Sequence, residues 1–579
     1  MSLSNGPLNG VESVASAAAS PCVLADGVVF IGPDYEPRPH GRVRLLNVCR
    51  DNKTLWFFGR VFPHLDNEAL WRRLVDDMES SMPETRPPLI GDYCCVYGGS
   101  DRGPAIAVTG SGDEGLLFVG VTDEGTVLCP TLSVLLAYLD QRGGVGVDLS
   151  CLAYKLATGA VRQPLTPYHR VYALLPGSVY SVTRTGIALM RRCWLFARDR
   201  ASVPSPVEWF EMMRSAMYAS VAARAPAPLF VTFSGGMDST SLAAIACRLF
   251  GPEHVHLLHY DYAVPGSSER HFAESVAREL GAPLSVAPVL PEEITNDTSP
   301  RLLPEPSPLV RLTQFRTNGH VVRGAGGDQT IGDTVWGLMN AGGLRLLKGA
   351  LSLAKSDGES VLATWRRHYW EPRHPRGRVS PAVGLTDMAL QHAKSAEKWA
   401  QAQFIRLRHL EDSPGTRSLL SELQPALASE GLQEATPSAP LMDPRVISAA
   451  STIPPDALIE AKQTGSNAPY RALLKKCLGD TLPEMAMNRA GKMASRTFLT
   501  EVLRANGRWV RSVGSHLAEV RACSPDGVRR TIEQFEAGNS ASVVELHYLV
   551  AAEIWLSQAI TRGRRLLWGS VAQWRSDVR

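Results

Sequence analysis

The stretch that decides the fold is residues 229–240, LFVTFSGGMDST. Its first five residues form a continuous apolar run, which is typical of a strand buried on both faces of a parallel sheet. A serine and two glycines follow, and then a helical pattern whose apolar residues share one face: Leu242, Ile245, Ala246 and Leu249. Gly251 stands where it would end that helix. The stretch therefore predicts a strand, a glycine-rich turn and a helix in direct succession.

The same alternation continues along the chain. The pattern predicts strands over 255–260 and 284–286, and a helix over 268–280 that Gly281 ends. Strands that alternate with helices predict a parallel sheet with right-handed crossovers. Helical periodicity dominates from Leu338 onward, which predicts a helical C-terminal part lying on the sheet.

The chain before about position 200 follows a different pattern, in which short apolar runs are bounded by Gly, Asp and Asn. Such runs are typical of a strand-rich domain. We therefore expect an α/β protein divided into a disordered tail over 1–20, a first domain over 21–195, a linker over 196–206 and a second domain over 207–579.

Composition excludes several classes of protein. The chain has 579 residues, too many for one core, and its 60 Lys+Arg against 57 Asp+Glu leave a formal charge of +3. So small a charge gives no field that favours nucleic acid or an anionic membrane. No apolar run reaches the roughly 18 residues that span a bilayer, and no signal peptide is recognisable. The cysteines include no C-x-x-C pair, which argues against a disulfide framework or a structural zinc site. We expect a cytoplasmic protein with no nucleic-acid or membrane partner.

The turn over 234–239 lies where the carboxyl end of a strand meets the N-terminus of a helix. Unpaired N–H groups and the helix dipole favour a phosphate at such a place. The glycines let the backbone approach closely, and Ser234 and Ser239 add donors. Asp238 would repel a phosphate unless a divalent cation lay between them, so the pattern predicts Mg²⁺. The alternative is a plain glycine turn followed by an Asp/Ser helix cap.

This hexapeptide, Ser-Gly-Gly-x-Asp-Ser, resembles the pyrophosphate loop of ATP pyrophosphatases, which activate a carboxylate or carbonyl as its adenylate. A second element, 324–328, reads GAGGD after the predicted strand 320–323. It is similar to the Gly-x-Gly-(Gly/Ser)-Asp element of the asparagine synthetase superfamily. The resemblance implies a parallel-sheet ATP pyrophosphatase-type domain in which Asp238 and Asp328 share Mg²⁺. It also implies that ATP and its pyrophosphate are bound by Ser234, Gly235, Gly236, Asp238, Ser239 and Gly324.

A third element is the segment from Leu482-Pro483 to Lys492, which contains Arg489. It is similar to the late Leu-Pro and Arg-x-x-Lys segment of the superfamily, which implies that Lys492 steadies the α-phosphate and the charge of the acyl-transfer transition state. The alternative is a solvated helix face. Alternation around the predicted strand 255–260 places His254 and His256 on one face and His259 on the other, which argues against a shared metal ion. The backbone around Leu257 is expected to contact adenine instead.

The first domain resembles the glutamine amidotransferase domain of these synthetases, an Ntn-hydrolase-like α/β sandwich. The active form of that domain needs a cysteine as its mature N-terminal residue, with the α-amine as base. This chain begins Met1-Ser2, its nearest cysteine is Cys22, and the glutamine-binding segments are not recognisable. We therefore expect a degenerate domain that does not hydrolyse glutamine. Processing down to Cys22 is the alternative.

Ala325 bears on the substrate. The equivalent position carries Glu in glutamine-dependent asparagine synthetases and Tyr in β-lactam synthetases, whereas alanine can neither accept nor donate a proton. A peptide α-amine, with a pKa of about 8, needs less help from a base than an alkyl ammonium at about 10. With the degenerate first domain, this resembles the lasso peptide cyclases.

That resemblance implies a precursor peptide as substrate. An Asp or Glu side chain of the peptide would be adenylated and joined to its N-terminal amine in a macrolactam, with release of AMP and pyrophosphate. A leader-peptide protease and a leader-binding protein would be partners. The alternatives are a β-lactam synthetase or ammonia-dependent asparagine synthetase, and a non-catalytic scaffold that binds ATP or a peptide.

Overall fold

The structure is a computed structural model. It describes residues 21–25, 28–31, 44–50, 53–61, 74, 91–99, 104–110, 117–158, 164–192, 204–224, 228–262, 264, 268–291, 319–327, 330–331, 351, 354, 360–365, 384–405, 438–454, 456–457, 460–461, 469–489 and 495–578. The predicted tail over 1–20 and most of the predicted linker lie outside these residues.

Strands dominate the first third of the described chain and recur in the second domain. They are β1 (Pro21–Ala25), β2 (Val28–Ile31), β3 (Arg44–Arg50), β4 (Lys53–Val61), β5 (Gly91–Gly99), β6 (Ala105–Thr109), β7 (Phe118–Val121), β8 (Thr126–Cys129), β9 (Val147–Asp148), β10 (Val171–Ala173), β11 (Ser178–Thr183), β12 (Gly186–Arg192), β13 (Leu229–Thr232), β14 (Val255–Tyr262), β15 (Leu284–Val289), β16 (His320–Arg323) and β17 (Leu566–Leu567).

Helices flank the sheets and dominate the C-terminal part. They are α1 (Leu132–Asp140), α2 (Leu149–Thr158), α3 (Pro206–Ala222), α4 (Met237–Phe250), α5 (Arg270–Leu280), α6 (Val361–Trp365), α7 (Asp387–Ile405), α8 (Pro444–Ser451), α9 (Pro469–Leu478), α10 (Glu484–Asn488), α11 (Ser495–Ala505), α12 (Gly507–Ser512), α13 (Ser515–Glu519), α14 (Pro525–Glu536), α15 (Ser540–Thr561) and α16 (Val571–Asp577).

Two sheets of mostly antiparallel strands lie within the predicted first domain. One has the order β1-β2-β8-β7-β10 and the other the order β12-β11-β6-β5-β4-β3. Side chains alternate along β7, so that Val119 packs in the core shared with Val96 and Ala107 of the other sheet, whereas Phe118 faces the helices. The resemblance of this domain to an Ntn hydrolase stays a prediction.

The predicted second domain contains the expected parallel sheet, with the order β15-β14-β13-β16 and every neighbouring pair parallel. Leu229, Val231 and Leu257 lie on one face, in a core shared with α3, α4, α5, α8 and α9. Phe230 and Leu258 lie in a smaller cluster on the other face. The predicted α/β class is confirmed.

The helices α12 to α15 near the C-terminus pack on the first domain. Leu517, Leu546 and Leu549 join Phe118 and Leu135 in one contiguous core. The expectation that the helical part from Leu338 onward lies on the parallel sheet therefore holds for α8 and α9, which share the core of that sheet, and is wrong for α12 to α15. The outer face of the five-stranded sheet needs an apolar cover, and helical periodicity alone does not show which sheet a helix covers.

One helix in the described part of the chain, α15, is long and apolar enough to cross a membrane. However, 61% of its apolar window is buried inside the protein. Its Glu553 carboxylate accepts hydrogen bonds from the N–H groups of Gly514, His516 and Leu517 at the start of α13. These contacts are those of a core helix.

The segment 566–578 returns to the first domain. β17 pairs in parallel with β9. Trp574 is buried against Trp399, with ring centroids 5.6 Å apart, and its Nε1 donates to Oδ2 of Asp148 at 3.2 Å. Tyr172 donates its hydroxyl to Asp577 at 2.8 Å. The two halves of the chain are therefore joined by this segment as well as by the helical core.

Candidate active site

A glycine-rich loop connects β13 to α4 at the carboxyl edge of the parallel sheet. Gly235 has a φ of +71°, in the left-handed region, and a Cβ there would lie 2.9 Å from Cδ1 of Phe272. Glycine meets both conditions without strain. Gly236 is the N-cap of α4 and offers no side chain to cap its first turn. A helix end of this kind is suited to a phosphate.

Two hydroxyls brace the loop. Ser239 is buried, accepts a hydrogen bond from the Ser234 N–H at 3.3 Å and donates to the Gly236 carbonyl at 3.2 Å. The exposed Ser234 hydroxyl lies 3.3 Å from that of Ser239 and accepts from the Gly236 N–H at 3.2 Å. Ser239 therefore holds the turn from inside, and Ser234 faces solvent, where a phosphate would enter.

The second predicted element lies directly beside this loop. β16 is the parallel neighbour of β13, with Arg323 opposite Thr232, so both strands end at one edge. A Cβ on Gly324 would lie 2.7 Å from the backbone nitrogen of Ser239, so the two backbones are in contact. The two glycine-rich elements thus meet at the N-terminus of α4.

Asp238 lies in the first turn of α4. A Cβ on Gly327 would lie 2.1 Å from its Oδ1, so the carboxylate faces the backbone that leads into Asp328. Asp328 itself lies outside the described residues. Carboxylate oxygens at this place fit Mg²⁺. Among the described residues no group of three or more His, Cys, Asp or Glu side chains is placed to hold a metal ion, so Asp238 would need Asp328 or phosphate oxygens to complete the site.

The late segment reaches the loop through Arg489. Its Nη1 donates to the Gly235 carbonyl at 2.9 Å, directly after α10 ends. Lys492, predicted to act on the α-phosphate, lies outside the described residues. Sequence patterns alone assign no role to Arg489 or to its contacts Glu269 and Phe272. The available signal was the place of Arg489 in the Arg-x-x-Lys segment.

Leu257 and His259 of β14 make different contacts. Leu257 is fully buried and donates its N–H to the Pro283 carbonyl at 2.8 Å, and the strand continues to Tyr262. The adenine contact expected of Leu257 stays a prediction. His259 is buried, and its Nδ1 donates to the Phe233 carbonyl at 2.8 Å, directly before the loop. Alternation gives the face on which His259 lies but not this bond.

A buried ion cluster supports the far side of the second element. Gly326 has a φ of +90°, and a Cβ there would lie 2.1 Å from Cγ of Met442. Asp443, which follows Met442 in the chain, caps the N-terminus of α8. Its carboxylate pairs with Arg224 at 3.0 Å and with Arg445 at 2.8 Å. Burial alone would raise the pKa of Asp443, but the Arg445 hydrogen bond and the Arg224 charge outweigh it and hold the pKa below its ordinary value. An ionised carboxylate therefore anchors the chain behind Gly326.

Residues 212–306 match the family model for asparagine synthase. The matched segment contains the loop, α4, β14, α5 and β15, and it ends before Gly324 and Arg489. The match supports assignment of this segment to the asparagine synthetase superfamily and ATP-dependent amide-bond ligase activity for its domain. No curated protein matches the chain.

Proposed function

We propose that the protein is an AMP-forming amide ligase that closes a macrolactam in a precursor peptide, as lasso peptide cyclases do. The meeting of the two glycine-rich elements on the N-terminus of α4 carries the proposal. Gly324 contacts the Ser239 backbone and Gly327 contacts the Asp238 carboxylate. This arrangement gives a triphosphate N–H donors, hydroxyls and a carboxylate for its cation at one edge of the sheet.

The reaction has two steps. A carboxylate oxygen of the peptide attacks the α-phosphorus of ATP, and the bond from that phosphorus to the pyrophosphate breaks. The peptide N-terminal amine then attacks the acyl adenylate, loses a proton, and AMP leaves. The loop over 234–239 would hold the pyrophosphate. Asp238 and Asp328 would hold Mg²⁺, which supplies positive charge against the leaving group. Lys492 would stabilise charge at the reacting centre.

The nature of the amine follows from Ala325. This side chain is partly buried against the main apolar core, and it offers no proton acceptor. An amine of modest pKa that belongs to the same peptide as the activated carboxyl group is held close to it. This proximity raises the rate of attack and so replaces part of the help that a base would give. The first domain would serve as a wall of the cleft and not as a source of ammonia. A leader-peptide protease and a leader-binding protein would supply the free peptide in the cytoplasm.

The test is incubation of the protein with ATP, MgCl₂ and a panel of linear peptides that have a free N-terminus and one Asp or Glu. We expect one peptide class to lose one water by mass spectrometry, with AMP and pyrophosphate as the other products. Asp238→Asn should lower the rate about 10²-fold or more. Acetylation of the peptide N-terminus should stop ring closure but leave pyrophosphate release. The rate should rise with pH over roughly 7.5 to 8.5, as the α-amine loses its proton.

Three outcomes would contradict the proposal. ADP and phosphate as products would exclude the adenylating reaction. Efficient use of ammonia or a small amino acid would favour an asparagine or β-lactam synthetase. Glutamate released from glutamine in step with AMP, and lost in Cys22→Ala, would restore the first domain as a glutaminase.

A further inference from the structure

We infer that Arg489 is a positioning residue that orients the 234–239 loop for pyrophosphate, with Glu269 as its counter-ion. The inference rests on the proposed function, because it assigns the loop to the pyrophosphate of ATP. It adds a residue from the late segment to a site that is otherwise built from the ends of β13 and β16.

Three contacts fix the guanidinium. Nη1 donates to the Gly235 carbonyl at 2.9 Å, and Nη2 pairs with Oε1 of Glu269. The guanidinium carbon lies 4.2 Å from the centre of the Phe272 ring. Only 14% of the Arg489 side chain and 11% of the Glu269 side chain are exposed to solvent. A planar, forked cation that makes both hydrogen bonds above an aromatic ring is oriented in a way that a lysine would not reproduce.

The bond to Gly235 sets the direction of a donor. In a trans peptide the C=O and the following N–H point in opposite directions. Because Arg489 holds the Gly235 carbonyl on one side, the Gly236 N–H points to the other side. There it meets the exposed hydroxyl of Ser234 at 3.2 Å. Arg489 thereby holds the Gly236 N–H toward the exposed side of the loop, where it orients the Ser234 hydroxyl that a phosphate would meet.

The same contacts argue against Arg489 as a direct phosphate ligand. Its terminal nitrogens are engaged by Gly235 and Glu269, and the centre of the Phe272 ring lies 4.2 Å from the guanidinium carbon. The Glu269 carboxylate also offsets its charge. The two roles predict opposite effects of Glu269→Gln. That change would free positive charge and tighten binding if Arg489 touched phosphate, but it would loosen the fork and weaken binding if Arg489 positions the loop.

The test measures binding of three probes in the presence of MgCl₂: inorganic pyrophosphate, the α,β-methylene analogue of ATP, and AMP. Arg489→Ala should weaken binding of the first two by roughly 10- to 100-fold, the effect of losing a charge-assisted hydrogen bond. Binding of AMP should change less than twofold, because AMP lacks the pyrophosphate. The pyrophosphate affinity of Arg489→Lys should fall between those of Arg489→Ala and the wild type. Glu269→Gln should weaken pyrophosphate binding severalfold.

Arg270→Ala is the matched control. Arg270 is exposed, lies next to Glu269 and pairs with Glu274 at 2.7 Å, so its loss should leave all three affinities unchanged. Wild-type pyrophosphate affinity in Arg489→Ala, or tighter binding in Glu269→Gln, would overturn the inference. Equal losses for pyrophosphate and AMP would mean a general structural role and would also overturn it. A wild-type protein that binds neither pyrophosphate nor the ATP analogue would instead refute the proposed function.

Discussion

Gly324 is required by close packing and not by its backbone conformation. An added methyl group would lie 2.7 Å from the Ser239 nitrogen and 3.1 Å from the Asp238 carbonyl carbon. Both neighbours are backbone atoms in the first turn of a helix, so they cannot move aside as a flexible side chain would. We expect Gly324→Ala to push the second glycine-rich element away from α4 and to reduce adenylation at least tenfold, a loss of about 1.4 kcal/mol or more. The rate of pyrophosphate release from ATP in the variant and in the wild type measures this loss.

Gly507→Ala is the control for this substitution. Gly507 is the first residue of α12, and a methyl group there would meet only the far end of Arg511 at 3.5 Å. Alanine favours a helix, so this variant should keep full activity and unfold at the wild-type temperature or slightly above it. Equal activity of the Gly324→Ala and Gly507→Ala variants would show that contact with the Ser239 backbone is not needed.

The residues of the site differ in how far the sequence could predict them. Ser234, Gly235 and Ser239 belong to one short motif, and motif and contacts arise from the same strand-to-helix turn. Arg489 and Glu269 are distant in the sequence, and their pairing needs α5 and the end of α10 to be brought together. No local sequence pattern predicts this pairing, because a single charged residue at the end of a helix is usually exposed to solvent.

At the scale of elements, the buried Asp443 pair ties α3 to the chain that backs Gly326. Asp443→Asn would leave Arg224, whose side chain is 2% exposed, without its counter-charge. We expect a loss of about 3–5 kcal/mol in the free energy of unfolding. The folded-state pKa of Asp443 is lowered, so its stabilisation is complete above the unfolded pKa of about 3.9 and is lost as pH falls through the lower folded value. Urea unfolding at pH 7 and pH 3 measures both effects.

Asp526→Asn is the matched control for that experiment. Asp526 pairs with Arg529 at 2.8 Å, but both side chains are largely exposed. Exposed pairs contribute at most about 1 kcal/mol. If the free energies of unfolding of the Asp443→Asn and Asp526→Asn variants differ by less than about 1 kcal/mol, a structural role for the buried pair is contradicted.

Elements of the parallel sheet were predicted closely because their signals are local. The strand predicted over 255–260 is observed as Val255–Tyr262, and the helix predicted over 268–280 as Arg270–Leu280. Gly281 ends that helix in the left-handed conformation, which is the role expected of it. The predicted placement of the C-terminal helices on this sheet holds for α8 and α9 but is wrong for α12 to α15, because amphipathic spacing gives the buried face of a helix but not the surface it meets.

At the scale of the whole molecule, Trp574 holds the segment 566–578 on the first domain. It is 2% exposed and packs against Trp399 while donating to Asp148. Trp574→Ala should lower the free energy of unfolding by about 3–5 kcal/mol, the usual effect of removing a buried aromatic side chain. Limited proteolysis should then cut the first domain earlier than in the wild type.

Arg575→Ala tests the same helix without touching the core. Arg575 is exposed, so its loss should leave both the unfolding midpoint and the cleavage pattern unchanged. If Trp574→Ala and Arg575→Ala resist proteolysis equally, the first domain is stable without this contact.

The shared core of the first domain and the C-terminal helices also sets an order of events during synthesis. Phe118 and Leu135 leave the ribosome long before Leu546 and Leu549, which cover the same core, have been made. At about 5–20 residues per second, the delay is on the order of tens of seconds. Throughout that interval the apolar sheet face that these helices cover stays exposed, so we expect the nascent first domain to be prone to aggregation until translation ends.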